Sequence, residues 1–291
     1  MGSSRSNLTC KNKIAIFLAA MTYQSYVLVE ANKLFLPKGF KLRYTIRALG
    51  GVEQPIKEIF GYIAESKHEI VIAFRGTGSF QDNESDQDIF QIPYPYVQNS
   101  GKTHRGFTCI YESTRNNIIR VLNKLSPTKR LYITGHSLGG ALAVLAGLDI
   151  AVNTKFHKPI VYTYGSPRTG DPTFAAKYDN IVKNSVRVYN VHDIIPFIPD
   201  KVYPPPFTKE GLYYKHVNTK YPVSFQLNSV AGLNHSISCY FKNLSKKKPA
   251  FTKALCISNP GFCPDTRFCV PFLGGCGATT TKRKSSCCVG C

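Results

Sequence analysis

The pentapeptide Gly135-His136-Ser137-Leu138-Gly139 sets a serine between two glycines at the spacing a nucleophile needs. Such a serine stands on a strained turn between a strand and a helix, its hydroxyl clear of the backbone. Glycine on either side removes Cβ atoms that would collide across so tight a turn. The flanks fit: Leu131-Tyr132-Ile133-Thr134 predicts a short buried strand, and residues 141–148 an alanine-rich helix. The chemistry this favours is acyl transfer. The Ser137 oxygen would attack a carbonyl, and the positive end of the helix would face the charge that forms.

A serine hydroxyl is a weak nucleophile until a histidine takes its proton, and a carboxylate holds that histidine in the right tautomer. On open α/β sheets with this turn the chain order is serine, acid, histidine. Asp149, Asp171, Asp179, Asp193, Asp200 and Glu210 lie between Ser137 and the last histidine. Asp149 falls along a helix and Asp179 closes one. Asp171-Pro172 has the pattern of an N-cap followed by proline at the first helical position. Asp193 follows a predicted strand at residues 185–189 and precedes a turn, which suits the acid; Asp200, in a proline-rich loop, is the reserve. Among the histidines, His157 precedes every suitable acid, His192 adjoins Asp193, and His216 sits in a predicted strand at residues 212–217. His235, in a loop entering the last amphipathic segment, is the preferred base. Two backbone N–H groups should face the oxyanion: Leu138, directly after the serine, and Thr77, in Arg75-Gly76-Thr77-Gly78. His104 has no catalytic role in this reading.

The elements that must position these residues are visible as hydrophobic periodicity. Residues 12–32 form an amphipathic helix, with Ile14, Phe17, Leu18, Met21 and Leu28 on one face. Strands are predicted at 41–46, 56–64, 69–74 and 159–164, and a helix at 106–125. Alternating strands and helices with apolar strands imply an α/β layered fold with a mostly parallel sheet. Ligands of such sheets bind beyond the carboxyl ends of the strands, and Thr77, Ser137 and Asp193 all follow such ends. The long connection at 79–102 is acidic at Asp82, Glu84, Asp86 and Asp88, then greasy from Ile89 to Tyr96. Both a flap over the site and a packed surface loop fit it.

The 291 residues carry a net charge of +20, from 37 Lys and Arg against 17 Asp and Glu. That balance suits an anionic membrane surface. No nucleic-acid motif accompanies it, so no nucleic-acid partner is expected. No run approaches the length of a transmembrane helix. Lys11 and Lys13 before an apolar run faintly resemble a signal peptide, but the helical pattern continues through Glu30 with no cleavage site of the usual kind. A cytoplasmic protein and a mature secreted form both remain open. Ten cysteines are present, seven of them from Cys256 onward, in a spacing that is not a paired zinc pattern. Cys10, Cys109 and Cys239 are expected as small buried apolar residues.

Taken together these residues resemble a class 3 lipase, the fungal-type group. The matching stretches are Ile72-Ala73-Phe74-Arg75-Gly76-Thr77, His104-Arg105-Gly106-Phe107, Gly135 to Gly140, Tyr164-Gly165-Ser166-Pro167-Arg168, Asp193-Ile194-Ile195-Pro196 and Asn234-His235, in family order. The resemblance implies an α/β-hydrolase fold with a lid over the site at 79–96. It implies Ser137 as nucleophile, Asp193 and His235 as its partners, Thr77 and Leu138 as oxyanion donors, and no cofactor or metal. It also implies a triacylglycerol lipase or related carboxylic ester hydrolase, acting as a monomer on acylglycerol or other lipid esters at a lipid–water interface or anionic membrane surface. Two departures stand out. Family members often carry Asp-Trp early in the lid, whereas here Asp82 is followed by Asn83 and the chain has no tryptophan. The cysteine-rich basic tail also has no counterpart.

The expected organisation is a flexible N-terminus at 1–11, a hydrolase domain at 12–265 and the tail at 266–291, read as a disordered segment, a disulfide or metal knot, or a foreign extension. A phospholipase A1, a galactolipase or a short-chain esterase would share the same scaffold. An inactive membrane-surface binding protein is the alternative of another class.

Overall fold

The computed structural model of the protein describes residues 2–50, 56–76, 89–204, 211–217, 219–227 and 231–269. A seven-stranded sheet organises them. Its strands are β1 (Lys41–Gly50), β2 (Ile56–Glu65), β3 (Glu69–Phe74), β6 (Arg130–His136), β7 (Ile160–Tyr164), β8 (Asn184–Asn190) and β11 (Lys220–Val223), lying side by side in that order. β1, β2 and β3 pair antiparallel, and every pairing from β3 to β11 is parallel. The short strands β4 (Gln91–Pro93), β5 (Lys102–His104), β9 (Val202–Tyr203) and β10 (Leu212–Tyr213) form two separate ribbons.

The parallel strands are buried on both faces, which is why they read as nearly continuous apolar runs. Alternate residues divide between two layers. Ile70, Ile72 and Phe74 with Leu131, Ile133 and Val161 pack against α2 (Arg105–Leu122) and α3 (Leu138–Asn153). Val71, Ala73, Tyr132, Tyr162, Tyr164, Val186 and Val188 pack against α1 (Gly2–Glu30) and α6 (Ile237–Ser245). Each fully buried side chain of this size contributes about 1.5–3 kcal/mol. Helix α3 is buried almost all round, as its mostly apolar Leu, Ala, Val and Gly composition requires. The short helices α4 (Pro172–Ile181), α5 (Ala231–His235) and α7 (Pro249–Ser258) complete the described elements. Asp171 caps α4 by accepting from the Phe174 N–H, with Pro172 in the first turn, as its sequence predicts.

Three expectations change. Helix α1 begins at Gly2 rather than near residue 12, so residues 2–11 continue it. No glycine or proline interrupts residues 3–36, and nothing local stops the helix until Asn32 turns left-handed at φ 50°. His216 lies outside any strand, because β10 ends at Tyr213.

The greasy half of the 79–102 connection is anchored to the body at Tyr94 and Tyr96, as the packed-loop reading allows. β4 pairs with β5, and Tyr94 is buried with its hydroxyl donating to Leu145 O at 2.8 Å. Tyr96 stands edge-on to Tyr94 and Tyr111. Residues 79–88 lie outside the described residues.

The cysteines differ as well. Cys10 and Cys109 are exposed, since their helix positions face outward, and Cys239 is bonded to Cys269 rather than free. Cys256 bonds to Cys263. Lys242 Nζ donates to the carbonyls of Thr266 and Cys269, so residues 266–269 are fastened to α6; the rest of the predicted tail lies outside the described residues. No helix among the described residues is long and apolar enough to cross a membrane.

Candidate active site

The register of the parallel strands brings four chain ends to one rim. Phe74 pairs with Gly135, His136 with Tyr164, and Tyr164 with Val188. Gly76, Ser137, Gly165 and Asp193 therefore all follow neighbouring strands at the same edge.

Ser137 occupies the turn between β6 and α3 at φ 59°, ψ −133°. That strain persists because the turn is fixed on all sides. A Cβ on Gly135 would lie 2.0 Å from Gly139 O, and one on Gly139 would lie 2.5 Å from Arg75 O. Ser137 N–H donates to Tyr164 O at 3.0 Å, and Gly140 N–H to Ser137 O at 2.8 Å. The two glycines are thus a steric condition for the close approach of β6, α3 and the end of β3. Leu138 is fully buried at the first position of α3, where its N–H belongs to the unpaired first turn. Thr77 lies outside the described residues.

Asp193 and His235 are brought together. The carboxylate is 1% exposed. Its Oδ2 accepts from His235 Nδ1 at 2.8 Å and from the Tyr240 hydroxyl at 2.7 Å, and its Oδ1 accepts from Ile195 N–H at 3.0 Å. A neutral His235 donating from Nδ1 keeps its proton-accepting lone pair on Nε2, the tautomer a general base needs. Burial holds the Tyr240 hydroxyl far above its usual pKa, so it remains a donor. Asn190 ties the acid and base segments: its N–H donates to Tyr240 Oη, and its amide donates to Phe225 O and Asn234 O.

His136, the residue before Ser137 in the motif, packs against His235. His136 lies 4.4 Å from His235, ring to ring, and its Nε2 is 2.5 Å from His235 O. Tyr26 Oη is 2.6 Å from His136 Nδ1 and accepts from Gly76 N–H at 2.8 Å. The directions follow from the donors available: Gly76 donates to Tyr26, Tyr26 to His136 Nδ1, and His136 Nε2–H to the His235 carbonyl. Burial, then the nearness of His235, holds His136 well below the usual histidine pKa, so it stays neutral in this chain. Arg75 fixes the same loop from the other side. Its Nη1 donates to Gly76 O at 2.7 Å, its Nη2 pairs with Glu58, and its guanidinium lies over Phe60.

Sequence reasoning missed Tyr26, His136, Asn190 and Tyr240. The available signal was the run Thr22, Gln24, Ser25, Tyr26 on a helix otherwise read as apolar on its packed face, and the histidine inside the motif. The rejected candidates have other duties. Asp149 is fully buried and accepts from Tyr111, Asn153 and both sides of the Arg115 fork. Asp200 and His192 are exposed. His104 caps α2 and stacks on Phe107. His216 donates to Pro196 O.

Residues 71–203 match the model of the family described as lipase (class 3). The chain is 35% identical over 147 residues to a lipase of Rhizopus niveus, covering 48% of this chain and 37% of that protein. It is 33% identical over 145 residues to the secreted mono- and diacylglycerol lipase MDL3 of Malassezia globosa, covering 45% of this chain and 47% of that one. The chain thus spans less than half the length of these curated relatives. The crystal structure of the lipase from Rhizopus microsporus var. chinensis superposes with a TM-score of 0.57 at 27% identity, covering 77% of this chain and 75% of that one. In residues 71–203 the chain is similar to the class 3 lipases, and its sheet is similar to that of the Rhizopus microsporus lipase.

Proposed function

We propose that this protein is a serine carboxylic ester hydrolase that cleaves acylglycerol esters, triacylglycerol first among them, through an acyl-enzyme on Ser137. The observation that carries this reading is the strained Ser137 elbow beside the bonded His235–Asp193 pair. His235 Nε2 takes the Ser137 proton as the serine oxygen attacks the ester carbonyl. The Leu138 and Thr77 N–H groups receive the oxyanion. His235 then protonates the leaving alcohol, water attacks the acyl-serine by the same path, and the fatty acid is released. Asp193 keeps the imidazole oriented and stabilises its charge. A relative named a mono- and diacylglycerol lipase supports acylglycerols as the substrate class.

Exposed Ile194, Phe197, Val191 and Phe90 are apolar surface close in sequence to the acid-bearing turn and the end of the 79–88 stretch. Such surface suits contact with a lipid–water interface. Ser137→Ala should remove hydrolysis of p-nitrophenyl esters and of emulsified triglyceride while leaving the thermal melt in place. Turnover by that variant at the wild-type rate would end the proposal. Comparing short soluble esters with emulsified long-chain triglyceride, below and above solubility, separates a lipase from an esterase.

A further inference from the structure

A second polar group sits on the α3 face of the sheet, apart from the ester-cleaving set. Arg187 on β8 is 5% exposed. Its guanidinium lies over the Tyr189 ring at 4.7 Å, yet its buried Nε has no hydrogen-bond partner among the described residues. Thr163 is its register partner on β7. Paired residues on neighbouring parallel strands leave the sheet on the same face, here the face of Val161. Thr163 is 2% exposed, and its Oγ1 also has no partner among the described residues.

Arg168 and His216 close the group. Arg168 is 5% exposed and donates to the carbonyls of Phe197 and Pro199. His216 donates to Pro196 O at 2.5 Å. These carbonyls belong to one turn, the segment after Asp193. The ion pairs among the described residues leave out both Arg168 and Arg187. Burial lowers both guanidiniums, and the charge of Arg168 lowers Arg187 further. His216 falls to about 3 and is neutral at pH 7.

Buried charges are ordinarily paired, because an uncompensated one is expensive. Carbonyl dipoles answer Arg168. Among the described residues Arg187 has only the face of a tyrosine, beside a threonine hydroxyl with nothing to bond. A water molecule would satisfy the two donors but leave the charge unbalanced. Sulfate or phosphate would bring more charge and more acceptor oxygens than two donors can satisfy. We propose that Thr163 and Arg187, with Arg168 behind them, bind a small monovalent inorganic anion of chloride or bromide size. The ion would accept from Arg187 Nε–H and Thr163 Oγ1–H. It would brace the β7–β8 edge next to Gly135, which pairs with Thr163 two residues before Ser137.

Thermal unfolding of the full chain, with sodium gluconate replaced stepwise by sodium bromide at fixed ionic strength, tests this. The expected result is a saturable rise in Tm of about 2–4 °C, absent in Arg187→Met and in Thr163→Val. The valine variant keeps shape and charge, so it reads the site even where the methionine variant fails to fold. Anomalous diffraction from a bromide-containing crystal should place a peak within hydrogen-bond distance of Arg187 Nε. A Tm indifferent to bromide, an equal rise in Thr163→Val, or a water at that position in the bromide crystal would each overturn the proposal.

Discussion

The Tyr240 hydroxyl and His235 Nδ1 donate to the same oxygen of Asp193, Oδ2, at 2.7 and 2.8 Å. The acid is therefore held by a residue five positions beyond the histidine it orients. Tyr240→Phe removes that donor without opening space. A hydrogen bond to a charged group contributes about 1.5–3 kcal/mol. The variant should lose about that much in urea unfolding and about tenfold in kcat on p-nitrophenyl esters, with KM unchanged. A kcat equal to wild type would mean that Ile195 N–H and His235 alone suffice to hold the carboxylate.

Tyr26 reaches the site from the first helix. Tyr26→Phe leaves Gly76 N–H without its acceptor, and an unsatisfied buried donor costs about 1–3 kcal/mol. The loop entering Thr77 should then be less well held, and kcat should fall about tenfold with little change in KM. Steady-state kinetics on a soluble ester checks this. A rise in KM with kcat intact would instead mark Tyr26 as part of the substrate pocket.

Much of this arrangement was legible from sequence because it depends on local chemistry. The Ser137 elbow needs glycines at 135 and 139, and Asp193 had to follow a strand, so spacing alone pointed to them. The pairing of Tyr26 with His136 and of Tyr240 with Asp193 was not legible. Each joins residues far apart in the chain, and a tyrosine on a packed helix face reads as core until its hydroxyl partner is seen. The early start of α1 was hidden because polar residues carry no periodic signal. The anchoring of Tyr94 by Leu145 O was hidden for the converse reason: a greasy loop segment looks alike whether it covers a site or fills a core.

His216 makes stability depend on pH. Its folded pKa of about 3 lies below the usual 6.5, because of burial first and the charge of Arg187 second. The unfolded chain thus binds the extra proton first. The contribution is present above pH 6.5 and is lost as pH falls toward 3. Between pH 7 and pH 5 this group should remove about 2 kcal/mol from wild-type stability. His216→Gln, which keeps a donor for Pro196 O, should lose less by that amount in urea unfolding at the two pH values. Parallel losses in both proteins would assign the pH dependence to other groups, His136 among them.

The two disulfides should differ in value. Cys239 and Cys269 are 30 residues apart, and Cys256 and Cys263 are 7 apart. On the chain-entropy account the longer loop stabilises by about 3–4 kcal/mol and the shorter by about 2–2.5 kcal/mol. Replacing each pair with serine and measuring urea unfolding should show the larger loss for Cys239–Cys269. An equal or reversed order would mean that packing around Cys239, rather than loop closure, decides.

Tyr26 stands near the beginning of the chain and Tyr240 near the end of its described part, yet both reach the Ser137–Asp193–His235 neighbourhood. Neither half of the polypeptide can supply the whole constellation. During synthesis β1 to β8 and α3 have emerged well before α6 can deliver its tyrosine, so a nascent chain would pass through a stage with most strands available and its acid unsupported. Completion of the constellation is in this sense a late event in the life of the molecule, and it reports that α6 has docked.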